Sequence, residues 1–154
     1  MSVELNHKAP NFKLFGTDKK EVELASFAGK KVVVAFFPAA FTGVCERELC
    51  TFRDSLSALG DLNATVLAIS VDGPFSNKAF AERNALTFPV LSDYARAATL
   101  AYGVALENFA GMPGYVASQR AVFVVNEEGV LTYKWIAPNP GVEPNYDEVK
   151  AALA

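Results

Sequence analysis

The chain has 154 residues, 51% of them hydrophobic, with 12 Phe and 5 Tyr. That size and composition suit one domain with a real core and exclude intrinsic disorder. The net charge is −3 and there is no basic stripe or arginine-rich tract, which argues against nucleic acid or an anionic membrane as the main partner.

Met1 to Lys8 lack the apolar segment of a signal peptide, and no apolar run approaches membrane-spanning length, so the expected compartment is the cytoplasm. After Pro10, Phe12 and Leu14 alternate and predict a short strand. Gly16-Thr17-Asp18 turns the chain, and Glu21 to Leu24 alternates polar with apolar, so the two strands form a hairpin at a sheet edge. Val32 to Phe37 is continuously apolar, as in a central strand covered on both faces. A helix is predicted from Gly43 to about Leu59, its core stripe made of Cys45, Leu49, Phe52, Leu56 and Leu59, with Gly60-Asp61 ending it.

Thr65 to Val71 is a second buried strand. Asp72-Gly73-Pro74 leads into a helix with Phe75, Ala79, Phe80 and Arg83 toward the core. Thr87 to Leu91 is a short extended piece, and Ser92-Asp93 starts a helix through Tyr102 that Gly103 caps. Asn108 to Gln119 reads as a loop. Arg120 opens a strand to Val125, Asn126 to Gly129 makes a hairpin turn, and Val130 to Ile136 is the partner strand. Pro138, Pro140 and Pro144 stiffen a connector before a last helix, Tyr146 to Leu153. This order predicts an α/β, thioredoxin-like fold over residues 1–154 as a single domain: a central mixed sheet flanked by helices, with an extra N-terminal hairpin.

Both cysteines fall at the junction of the first central strand and its helix. If Thr42 is the N-cap, Cys45 is the third helical residue. Unsatisfied N–H groups and the positive end of the helix dipole favour an anion there, and the thiolate is the reactive form of a thiol. From Cys45 alone, a buried and inert thiol is an equal reading. Cys50 poses a geometric problem. Five helical residues advance about 500°, which sets Cys50 roughly 140° around from Cys45, with Cα atoms about 8.7 Å apart. A disulfide needs Cα atoms within about 7 Å. Either the first turns unwind before the two sulfurs meet, or Cys50 is a bystander.

The motif Pro38-x-x-x-Thr42-x-x-Cys45 resembles the signature of peroxiredoxins. The resemblance extends over nearly the whole chain: Lys8-Ala9-Pro10-x-Phe12-x-Leu14, Glu48, Phe52-Arg53-Asp54, Phe88-Pro89-Val90-Leu91-Ser92-Asp93, Tyr102-Gly103-Val104, and Arg120 before Phe123-Val124-Val125. It implies a thiol peroxidase acting on hydrogen peroxide and organic hydroperoxides, with Cys45 as the nucleophile that becomes a sulfenic acid. By the same resemblance Thr42 and Arg120 bind the peroxide oxygens, Pro38 shields the site, and Glu48 orients Arg120. The C-x4-C spacing resembles the bacterioferritin-comigratory, or Q-type, branch, in which the second cysteine resolves the sulfenic acid within one subunit. Cys50 then pairs with Cys45, and a thioredoxin- or glutaredoxin-like protein regenerates the dithiol. The Gly111-Met112-Pro113-Gly114-Tyr115 loop departs from the Q-type branch, and parts of the middle of the chain look more like the one-cysteine E-type enzymes. No metal, haem or flavin is expected, and the assembly is a monomer or a homodimer.

Two other functions fit the same fold. A dithiol-disulfide oxidoreductase usually needs C-x-x-C at the helix start, which this chain lacks. A redox-regulated binding protein or holdase is compatible with two cysteines and stays open as an added role. His7 is the only histidine, so a Cys-His hydrolase or a zinc set with the two cysteines has little to build on.

Overall fold

The computed structural model describes residues 3–55 and 63–154. Its strands are β1 (Lys13–Phe15), β2 (Glu21–Glu23), β3 (Lys31–Phe36), β4 (Ala64–Ser70), β5 (Val90–Ser92), β6 (Ala105–Leu106), β7 (Ala117–Ser118), β8 (Ala121–Val125) and β9 (Leu131–Ile136). Its α-helices are α1 (Gly43–Asp54), α2 (Pro74–Arg83), α3 (Ala97–Ala101) and α4 (Tyr146–Leu153).

Among the described residues, seven strands form one sheet in the order β2-β1-β5-β4-β3-β8-β9. The β3–β4 and β4–β5 pairs are parallel, whereas β3–β8 and β8–β9 are antiparallel, so the sheet is mixed. The β1–β2 hairpin closes one edge, with Leu14 opposite Val22. This is the thioredoxin-like arrangement that the order of elements predicts.

Strand β3 lies inside the sheet between β4 and β8, and from Val32 onward it is buried on both faces. Val32, Val34 and Phe36 point into a layer with Leu67, Ile69, Tyr102 and Phe123. Val33, Ala35 and Phe37 point into the opposite layer, with Leu49, Phe52, Phe80 and Val149. A continuous apolar run thus feeds two cores through the period of two along a strand. Cys45 belongs to the second layer. Each large side chain buried there stabilises the fold by about 1.5–3 kcal/mol, and this fixes the face that α1 turns inward.

Several local expectations change. Leu56, Leu59 and the Gly60-Asp61 stop lie outside the described residues. Helix α2 buries Asn77 and Phe80, while Phe75 is 72% exposed and Ala79 and Arg83 also face solvent. The reason is angular: Phe75 and Phe80 are five residues apart, about 140° around a helix, so one face cannot hold both. Asn77 takes the inward place next to Phe80 and bonds to the chain, donating to the carbonyls of Leu91 and Asp72 at 3.4 Å each.

Ser92 belongs to β5, and the next helix begins only at Ala97. The buried Asp93 carboxylate reaches forward to accept from the N–H groups of Ala98 (3.1 Å) and Thr99 (2.6 Å), capping α3 from four residues before its start. Gly103 follows with φ +69°, the left-handed turn expected after a helix. The segment read as a loop from Asn108 to Gln119 contains a 3-10 turn, Phe109–Gly111, and strand β7, which pairs with β6.

Candidate active site

The site is built where β3 stops. Phe37 still donates to the Ile69 carbonyl at 2.9 Å, and Pro38, buried, turns the chain away from the sheet. Asp72, just beyond β4, pins the turn: its carboxylate accepts from the Ala40 N–H at 2.8 Å and from the Ser70 hydroxyl at 2.9 Å. Phe41 adopts φ +65°, a left-handed conformation that costs a non-glycine residue about 1–2 kcal/mol. Its ring meets Phe80 edge-on at 5.4 Å, which offsets part of that cost.

Thr42 stands at the N-cap position, with extended backbone angles and its carbonyl accepting from Glu46 N–H at 2.9 Å. Its hydroxyl does not cap the helix. It turns back and donates to the Ala39 carbonyl at 2.8 Å. The first-turn N–H groups are therefore left without a side-chain cap from Thr42. With its proton committed to Ala39, Thr42 Oγ1 keeps lone pairs with which to accept from an incoming O–H.

Cys45 is fully buried on the inner face of α1. Arg120 comes from the other side of β3, immediately before β8, and is also buried. Its Nη2 donates to Cys45 Sγ at 3.1 Å and its Nη1 to Glu48 Oε1 at 2.8 Å. The Pro140 carbonyl accepts from both Nε (3.2 Å) and Nη2 (2.9 Å). The guanidinium fork is thus fixed at three points, which suits its planar set of donors. Three residues far apart in the chain, Cys45, Glu48 and Arg120, meet in one buried cluster.

Glu48 is the ionisable group most changed by this setting. Burial pushes its carboxyl up from 4.5 to about 7, against the pull of Arg120 and with a further push from Glu143. Its Oε2 is buried and, among the described residues, has no hydrogen-bond partner. An unpaired buried carboxylate oxygen favours the protonated form, whereas the Arg120 charge favours the ionised one. Glu143, in the connector after Pro140, accepts from Tyr146 Oη at 2.8 Å and from Arg47 Nε at 3.5 Å, tying that connector to the first turns of α1.

Neither cysteine is in a disulfide. Cys50 sits on α1 with Cys45, but its side chain is half-buried against α2, where Sγ lies 3.5 Å from Asn84 Oδ1. An intact α1 holds the two sulfurs on different faces, as the helical geometry requires.

Sequence reasoning names Pro38, Thr42, Cys45, Glu48, Cys50 and Arg120. The structure gathers Cys45, Glu48 and Arg120 into direct contact, sets Thr42 and Pro38 on the loop leading to them, and keeps Cys50 apart. It adds the Pro140 and Ala39 carbonyls and the Asp72 carboxylate. Backbone carbonyls carry no signature in a sequence. The run of prolines from Pro138 to Pro144 signals a stiff segment, but not what its oxygens face.

Residues 5–134 match the AhpC/TSA family. Over 153 residues the chain is 33% identical to a protein of Coxiella burnetii named Putative peroxiredoxin bcp, covering 99% of this chain and 100% of that one. It is 39% identical to Peroxiredoxin Q, chloroplastic, of Triticum aestivum, over 80% of this chain and 55% of that protein's length, so it spans little more than half of that relative. A crystal structure of a peroxiredoxin-like protein from Aquifex aeolicus superimposes with a TM-score of 0.86 at 28% identity, covering 99% of this chain and 87% of the other. On these grounds the chain belongs to the AhpC/TSA family, on its peroxiredoxin Q/Bcp branch.

Proposed function

We propose that the chain is a thiol-dependent peroxidase that reduces hydrogen peroxide and small organic hydroperoxides at Cys45. The observation that carries this reading is the 3.1 Å contact from Arg120 Nη2 to Cys45 Sγ, made by a guanidinium that Glu48 and Pro140 hold in place. A fixed positive charge beside a thiol at a helix start stabilises negative charge on sulfur and on an oxygen leaving next to it.

The Cys45 thiolate attacks one peroxide oxygen and the O–O bond breaks. The other oxygen leaves as hydroxide or alkoxide and takes a proton, giving water or an alcohol, while Cys45 becomes a sulfenic acid. Thr42 Oγ1 accepts from the peroxide O–H, and the Arg120 fork faces the charge that develops on the oxygens. Buried Pro38 limits the access of water. Cys50 then attacks the sulfenic sulfur. The S–O bond breaks, water departs and a Cys45–Cys50 disulfide remains, after α1 has opened. A thioredoxin- or glutaredoxin-type dithiol reduces that disulfide by exchange. The cycle suits a reducing compartment such as the cytoplasm.

Turnover with a thioredoxin system, followed as peroxide loss, tests the cycle. The wild type consumes hydrogen peroxide and tert-butyl hydroperoxide catalytically. Cys50→Ser consumes about one equivalent and then stalls with that donor. An unchanged thioredoxin-linked rate in Cys50→Ser would remove Cys50 from the cycle.

A further inference from the structure

Cys50 must leave its place before it can reach Cys45, so what holds it there sets how fast a disulfide can close. Among the described residues, two side-chain hydrogen bonds run from the second half of α1 to the end of α2, and both finish on Asn84. Cys50 Sγ donates to Asn84 Oδ1 at 3.5 Å, and Arg53 Nη1 donates to the Asn84 carbonyl at 2.5 Å. Asn84 follows α2 directly as its C-terminal cap residue.

The orientation of the amide is set independently of Cys50. Asn84 Nδ2 donates to the Phe80 carbonyl at 3.0 Å, which leaves Oδ1 facing the sulfur. Phe80 is fully buried in the same core layer as Cys45 and Leu49, so the amide rests on a rigid part of the fold. The first turns of α1 are held by Arg120 at Cys45 and by Glu143 at Arg47, and one ion pair, Glu46 with Arg83 at 3.8 Å, also joins them to α2. The bonds to Asn84 are thus the hold on the Cys50 end of the helix, apart from those around Cys45.

We propose that Asn84 is the positioning residue of Cys50: its side-chain oxygen keeps the thiol docked on α2 and slows disulfide closure until α1 opens. This rests on the reading of Cys50 as the resolving thiol. During closure the sulfenic S–O bond breaks, its hydroxyl and the Cys50 S–H proton leave together as water, and Cys50 gives up its bond to Asn84 to form the bond to Cys45. Asn84 takes no part in the oxidation of Cys45, which lies on another face of α1.

Two measurements on Asn84→Ala test the proposal. In a Cys45→Ser background Cys50 is the only cysteine, and its alkylation by iodoacetamide reads how readily it leaves α2. Loss of one hydrogen bond predicts alkylation roughly three- to tenfold faster than with Asn84 present. In the two-cysteine protein, the first-order closure that follows one equivalent of hydrogen peroxide rises by a similar factor. The second-order oxidation of Cys45 stays within about twofold, a split that general loosening of the fold would not give. Arg53→Met removes the companion bond and predicts faster alkylation in the same direction, which keeps the test open if Asn84→Ala does not fold. Alkylation no faster in the folded variants, or slower closure, overturns the proposal. Absence of a Cys45–Cys50 disulfide in the peroxide-treated wild type refutes the resolving role instead, and the alkylation arm still decides whether Asn84 holds Cys50.

Discussion

Arg120 serves Glu48 and Cys45 with the two ends of one guanidinium, Nη1 at 2.8 Å from the carboxylate and Nη2 at 3.1 Å from the sulfur. The carboxylate and the sulfur therefore share one positive fork. Pro140 adds a third hold through its carbonyl. A lysine at this position would keep the charge but could not span all three partners with one ammonium.

Arg120→Lys therefore tests whether the fork matters beyond its charge. The expected result is a fall of roughly 100-fold in the second-order rate of Cys45 oxidation, about 2.7 kcal/mol of transition-state stabilisation. Stopped-flow oxidation by hydrogen peroxide measures it. A rate within a few-fold of the wild type would show that charge alone suffices.

Glu48 predicts a pH dependence of stability. Burial raises its carboxyl from 4.5 to about 7, so between those values the folded chain holds a proton that the unfolded chain releases. The contribution of Glu48 is thus fully present below about pH 4.5 and is lost as pH rises through about 7. Urea unfolding of wild type and Glu48→Gln over that range should show the wild type losing roughly 3 kcal/mol relative to the variant as pH increases. A difference that stays flat, or grows with pH, would place the titration elsewhere.

The Thr42 hydroxyl is already committed as a donor to Ala39 at 2.8 Å. Thr42→Ser retains that bond and the acceptor oxygen, while Thr42→Val keeps the shape and loses both. The expected outcome is a small change for Ser and a fall of about 10- to 100-fold for Val in the rate of Cys45 oxidation, with Cys45 still alkylated at a similar rate in both variants. Equal rates in Val and Ser would relieve Thr42 of any contact with the peroxide.

The core strands and the reactive junction were legible because their signals are local. Val32 to Phe37 reads as a two-faced strand without knowledge of its neighbours, and Tyr146 to Leu153 has the bounds that its pattern predicts. The pairing of Arg120 with Glu48 and Cys45 came from a family resemblance, since nothing in the local sequence marks an arginine at a strand start as buried. Phe75 misled because hydrophobicity alone does not choose a helix face when Asn77 can satisfy buried carbonyls. The delayed start of α3 was hidden because Asp93 caps it across several residues. The N-cap position of Thr42 is legible, but the partner of its hydroxyl is not: two arrangements compete within one turn, and the Ala39 carbonyl wins over the helix N–H groups.

The most direct test of the central claim is the oxidation of the reduced chain by one equivalent of hydrogen peroxide, with the site of oxidation located by mass spectrometry after dimedone trapping. In Cys50→Ser, where the sulfenic acid cannot be resolved within the chain, one adduct is expected, on Cys45, formed with loss of one peroxide per chain. In Cys45→Ser neither rapid peroxide loss nor an adduct is expected. Peroxide consumption by Cys45→Ser at the wild-type rate would contradict it.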